Sequence, residues 1–167
     1  MEGITIKEIR DEDFTSYKKP SMIIGFPSCT WKCERECGMR VCQNSALAQA
    51  PNKIIGVKTI VNRYINNPIT SAIVMAGLEP FDSEFDLYKL IVYLRVSTDD
   101  DIVIYTGYTE EEINGKDIYK FLLNYKNIII KFGRYIPGQK PHYDEVLGVN
   151  LASDNQYAKV ISRTIQN

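Results

Sequence analysis

Residues 21–26, SMIIGF, form a continuous apolar run that opens directly onto CTWKCERECGMRVC, residues 29–42. A run without polar alternation suits a strand buried on both faces. Three similar runs follow: TSAIVMAG (Thr70–Gly77), DIVIYTG (Asp101–Gly107) and NIIIKFG (Asn127–Gly133). Helical spacing separates them. VKTIVNRYINN places Val57, Ile60, Val61 and Ile65 on one face. SEFDLYKLIVYLR begins with Ser83 as an N-cap candidate and acidic residues in the first turn. GKDIYKFLLNYK (Gly115–Lys126) predicts another helix. Upstream, ITIKEI (Ile4–Ile9) alternates and predicts a short strand. Beyond Arg134 the breakers Pro137, Gly138 and Pro141 predict an irregular tail, with a late strand at YAKVIS.

Buried strands alternating with amphipathic helices imply an α/β class with a mainly parallel sheet, here as one domain over residues 1–167. In such sheets ligands collect at the carboxyl ends of the strands. Four loops share that rim: the cysteine loop, GLEPFDS (77–83), TGYTEEE (106–112) and GRYIPG (133–138).

The chain has 167 residues, 44% apolar and 25% charged, with a net charge of −1. That composition is globular and carries no basic segment suited to nucleic acid. No stretch approaches the roughly 20 apolar residues of a membrane helix. The N-terminus, MEGITIKEIRDED, has no signal-peptide core, so the expected location is the cytoplasm. There, clustered cysteines act as metal ligands or redox groups more often than as disulfides.

All four cysteines, Cys29, Cys33, Cys37 and Cys42, fall in this one loop. Thiolates suit zinc and iron–sulfur clusters. Structural zinc commonly takes two close pairs divided by a longer stretch; here the spacing is nearly even. Complete clustering argues against four unrelated cysteines, and the compartment against a disulfide.

CTWKC, VCQN, AGLEP and YTGYTEEE together resemble the radical S-adenosylmethionine superfamily, and within it the activating enzymes of anaerobic ribonucleotide reductase. The resemblance runs over residues 22–161. It implies a partial (β/α) barrel and a [4Fe–4S] cluster held by three thiolates, with the fourth iron chelating S-adenosylmethionine. One electron then gives methionine and a 5′-deoxyadenosyl radical, which abstracts hydrogen from a backbone glycine of a large partner subunit. The implied partners are that glycyl-radical reductase and an electron donor such as flavodoxin or ferredoxin; nucleic acid and membrane are not among them. By resemblance Cys29 and Cys33 are ligands. The third is Cys42, which follows Val41 and begins a CQN similar to the family's CHN, or Cys37, which follows the charged Glu36. With Cys42, the segment ERECGMR is an insertion. If all four bound, no iron would stay open.

The resemblance assigns Gly77 and Glu79 to the methionine end of the cofactor, with Leu78 replacing a family glycine. Thr106, Gly107 and Tyr108 fall on the adenosine side. Thr109 and Glu112 also make a capping box, which alone would explain that segment. LGVNLASDNQYAKVI resembles a family segment through Ser153, Asn155 and Gln156. Gly133 is shared with another, beside Arg134, which reads either as an anion contact or as a surface arginine. His142 reads as a surface residue, Tyr88 and Tyr119 as packing residues, and Thr98–Asp101 as a solvated turn. Two other functions fit the cysteines: a divergent radical enzyme acting on a peptide or small molecule, and a non-catalytic four-cysteine metal or redox module.

Overall fold

The computed structural model describes residues 2–42 and 44–161, and of Cys33 only the backbone. Strands β1 (Gly3–Ile6) and β2 (Glu8–Asp13) precede β3 (Ser21–Phe26). The cysteine loop carries α1 (Lys32–Cys37) and α2 (Ser45–Gln49), then β4 (Lys53–Gly56) leads into α3 (Val57–Ile65). Next come β5 (Ala72–Gly77), a 3-10 turn at Pro80–Ser83, and α4 (Glu84–Ser97). Strand β6 (Asp101–Tyr105), α5 (Glu110–Ile113), α6 (Asp117–Leu122) and β7 (Ile128–Phe132) follow. A hairpin of β8 (His142–Asp144) and β9 (Val149–Leu151) precedes β10 (Tyr157–Val160).

The central sheet has six strands in the order β10-β7-β6-β5-β3-β2. Its four inner strands are parallel, and β2 and β10 flank them antiparallel. The α/β class and parallel core are as the sequence implies. The sheet is open, because its end strands do not pair with each other. No described helix is long and apolar enough to cross a membrane.

Alternate residues of each inner strand enter different cores. Ile24, Met75, Ile104 and Ile130 pack beneath α3, α4 and α6, with Ile60, Leu90 and Leu122. Ile23, Val74, Val103 and Ile129 face the other way, against Tyr17, Leu147, Leu151 and Ala158. Helices therefore cover one face, and the tail covers the other. This is why the four runs lack polar alternation. Each fully buried aliphatic side chain contributes about 1.5–3 kcal/mol of transfer free energy.

Several expectations are corrected. ITIKEI is not one strand: β1 leaves the sheet to pair with β4, and β2 begins at Glu8. The intervening Lys7 sends its ammonium to the carbonyls of Ala48 and Ala50, at 3.1 and 2.5 Å, which close α2. The sequence EIRDED gave no strand signal because β2 is a polar edge, a composition that discourages further pairing. Ile65 is 48% exposed, and Tyr64 takes the buried position at 2%, donating its hydroxyl to Asp100 at 2.5 Å. Ser83 makes no side-chain cap; Glu79 caps the preceding 3-10 turn instead. The tail is ordered through β8, β9 and β10, and Ser162 of the expected late strand lies outside the described residues.

Strand β5 ends where the chain must turn against β3. Gly77 has φ of 90°, and a Cβ there would sit 2.5 Å from the Phe26 nitrogen and 2.6 Å from Gly25 Cα. Both are backbone atoms and cannot rotate away. Gly77→Ala should destabilise the protein by about 2 kcal/mol or more in urea unfolding. An unchanged midpoint would mean that β5 and β3 separate freely at this end.

Candidate functional site

A cavity of about 330 Å³ opens at the carboxyl ends of the parallel strands and extends over the tail-covered face. Cys29 and Cys42 line it, as do Gly77, Glu79, Thr106, Gly107 and Tyr108. The fold thus gathers these seven sequence candidates around one space. Cys37 is not among the lining residues; its sulfur lies 3.5 Å from the Met39 carbonyl and 3.8 Å from that of Glu34. Among the described residues no three His, Cys, Asp or Glu side chains form a metal-holding group. The Cys33 side chain, a sequence candidate, lies outside the description.

The cysteine loop starts at the end of β3. Trp31 takes a left-handed conformation, φ 56°, and turns the chain into α1. Its N–H donates to the Cys29 sulfur at 3.2 Å. Glu34 accepts from the Cys42 N–H at 3.1 Å. Burial pushes the Cys42 thiol up, and the Glu34 charge adds to this. Two further contacts tie the loop to the rim: Asn44 donates to the Gly77 carbonyl at 2.6 Å, and Asp82 accepts from the Thr30 N–H at 2.9 Å.

Glu79 is the hub. Only 5% of it is exposed. Its Oε1 accepts from the Thr106 hydroxyl at 2.8 Å and the Phe81 N–H at 3.1 Å, and its Oε2 accepts from the Gly107 N–H at 2.9 Å. The end of β5 is thereby bonded to the end of β6. Burial pushes the carboxyl up to about 7, against the pull of these three bonds. Thr106 is committed twice, since its oxygen also accepts from the Tyr108 N–H at 3.0 Å. The Tyr108 hydroxyl donates to Asp82 at 2.5 Å, and burial together with this bond raises the phenol to about 12.

Sequence reasoning missed Lys131. It lines the cavity from β7 and is 8% exposed. Its ammonium donates to the carbonyls of Gly133 at 2.9 Å and Thr106 at 3.4 Å and forms no ion pair among the described residues. Burial pulls it down to about 8, and the Glu79 charge partly opposes this. A single lysine inside the apolar run IIIKF was the available signal, since an unpaired buried charge is costly.

Arg134 is not a surface arginine. Its Nη2 donates to both Glu112 oxygens, at 2.8 and 2.9 Å, and its Nε lies 3.4 Å from Glu36. Thr109 and Glu112 do form the capping box. Burial alone would raise Glu112, but Arg134, Lys32 and the Thr109 N–H outweigh it and hold the carboxyl at about 2. The tail residues Ser153, Asn155 and Gln156 fix the backbone here. Asn155 donates to the Arg134 carbonyl at 2.8 Å, and Gln156 donates to that of Gly133 at 3.2 Å while its own amide oxygen accepts from Ser153 N–H at 3.2 Å. His142 sits in β8 with Nε2 2.7 Å from the Gln156 carbonyl. Tyr119 is buried and Tyr88 packs on Phe121 at 4.5 Å between ring centroids, both in packing roles. The run ending at Asp101 is more than a solvated turn: Asp100 and Asp101 anchor the hydroxyls of Tyr64 and Tyr17.

The raised Glu79 carboxyl fixes a pH dependence. The folded state holds a proton there that the unfolded chain releases above about 4.5. Stability from this group is therefore complete below that pH and is lost as pH rises to about 7. Compared with Glu79→Gln, the unmodified protein should weaken by on the order of 2 kcal/mol between pH 5 and 8 in urea unfolding. Parallel pH profiles would remove Glu79 as a burial-strained acid.

A family model described as 4Fe-4S single cluster domain matches residues 24–156, which span every cysteine. Neither the curated proteins nor the solved structures gave a significant match. The match covers most of the sequence, and the chain belongs to the 4Fe-4S single cluster domain family.

Proposed function

We propose that this chain is a radical S-adenosylmethionine enzyme that generates a glycyl radical on an anaerobic ribonucleotide reductase. The carrying observation is that Cys29 and Cys42 share one cavity with Gly77, Glu79 and Lys131, while Cys37 lies off it. Cys29, Cys33 and Cys42 would hold a [4Fe–4S] cluster. Soft thiol donors at the mouth of a polar-floored cavity suit such a group, and family membership supports it. When bound there, such a cluster would supply the one-electron reduction that splits the sulfonium of S-adenosylmethionine.

The chain's own residues bind and orient. Glu79 retains lone-pair capacity beyond its three bonds and can accept from the ammonium of an amino-acid ligand. Lys131, buried and without a carboxylate partner among the described residues, matches that ligand's carboxylate. Thr106, Gly107 and Tyr108 form the adjoining wall, with the Thr106 hydroxyl and the Gly107 N–H oriented by Glu79. The protein would act in the cytoplasm with a flavodoxin- or ferredoxin-type donor.

Anaerobic reconstitution with iron and sulfide tests this. A reduced four-iron paramagnetic signal should appear and change on adding S-adenosylmethionine. Cys37→Ala should keep signal and cofactor response, whereas Cys42→Ala should lose most of its bound iron. A signal indifferent to the cofactor, or lost equally in Cys37→Ala, would point to a four-cysteine electron-transfer or sensing module. Zinc in place of iron would overturn the reading.

A further inference from the structure

No described residue from Cys29 to Cys42 is buried. Apolar packing therefore does little to hold the cysteine loop, and its polar contacts decide where it sits. The principal charged contacts converge on one carboxylate. Lys32, the first residue of α1, pairs with Glu112, and Glu36, on the next turn, pairs with Arg134 at 3.4 Å. Arg134 grips both oxygens of Glu112 and is itself only 10% exposed at the side chain. The helix carrying Cys33 and Cys37 is thus tied to α5 and to the loop after β7. Lys32 and Arg134 both stand near the Tyr108 ring, at 5.8 and 5.7 Å from its centroid, on the wall of the cavity.

We propose that Glu112 is a positioning residue: gripped by Lys32 and Arg134, it forms an ionic clasp that keeps the cysteine loop seated over the cavity. Its relevance to cofactor chemistry rests on the function proposed above, but the clasp is a property of the protein alone. An isolated surface pair contributes little, whereas charges joined in a network around a mostly buried arginine contribute more.

Hydrogen–deuterium exchange of residues 29–42 in the cluster-free protein tests it. Glu112→Gln is the informative variant, because glutamine can preserve the capping box with Thr109 while removing the charge. Exchange in the loop should rise about fivefold, with the inner strands unchanged. Lys32→Gln should move in the same direction and guards against misfolding of the first variant. Lys126→Gln breaks an exposed pair with Asp99, neither of which lines the cavity, and should match the unmodified protein. Adding about 0.5 M salt should move the unmodified protein toward Glu112→Gln. In reconstituted protein, bleaching of cluster absorbance by a chelator should accelerate by a similar factor. Equal loop exchange in both clasp variants and the unmodified protein would overturn the clasp, even if bleaching changed. Faster exchange in a protein that takes up no cluster would leave the clasp standing and sink the functional reading.

Discussion

The buried carboxylate of Glu79 is the interaction on which the site depends. It joins two strand ends that the sheet hydrogen bonds no longer hold, because the β5–β6 register closes at Met75 and Ile104. Beyond that point the chains must diverge to form loops, and Glu79 keeps them together. Three hydrogen bonds to a charged oxygen contribute roughly 1.5–3 kcal/mol each. The desolvation penalty for a carboxylate is several kcal/mol. Burial outweighs the three bonds, so the proton affinity of Glu79 rises toward neutrality, and the bonds limit that rise. The same group sets the direction of the Thr106 hydroxyl and the Gly107 N–H, so the cavity wall inherits its geometry from one side chain.

The parts of the fold legible in the sequence were those governed by apolar runs. Four such runs became β3, β5, β6 and β7, and the helical spacing at Val57, Ile60 and Val61 became the buried side of α3. Elements held by polar or register-specific contacts were not legible. Strand β2 has no apolar signature, and β1 abandons the sheet because Gly3–Ile6 pair with Lys53–Gly56. At the site, a cysteine loop and glycine-bearing strand ends were visible as local patterns. Lys131 stood out in IIIKF, but its partners and those of Arg134 were hidden, because they lie in loops distant along the chain.

The two faces of the sheet have different kinds of cover. Beneath the helices, aliphatic side chains interlock around Ile24, Met75, Ile104 and Ile130. Across from them, a short hairpin and Tyr17 complete a smaller apolar cluster and leave room for the cavity. The rim above mixes ion pairs and amide contacts with apolar side chains such as Val41, Leu47 and Leu78. Rigidity therefore falls from the strands outward. If, as proposed above, the cysteine loop receives a cluster, contacts that can part and re-form serve it better than an interlocked core.

The hold of Ser153, Asn155 and Gln156 on Gly133 and Arg134 has a consequence for biosynthesis. During translation the cysteines leave the ribosome long before these three residues exist. Domains mature as units once their last packing partners are made. Until β10 has joined β7, the carbonyls of Gly133 and Arg134 lack their Gln156 and Asn155 partners, which steady the segment after Lys131. In a nascent chain the thiols would emerge first, and the cavity around them would be complete only once residues 153–160 had been made. On the function proposed above, the strand and tail residues that complete the cluster's site are made well after its thiols.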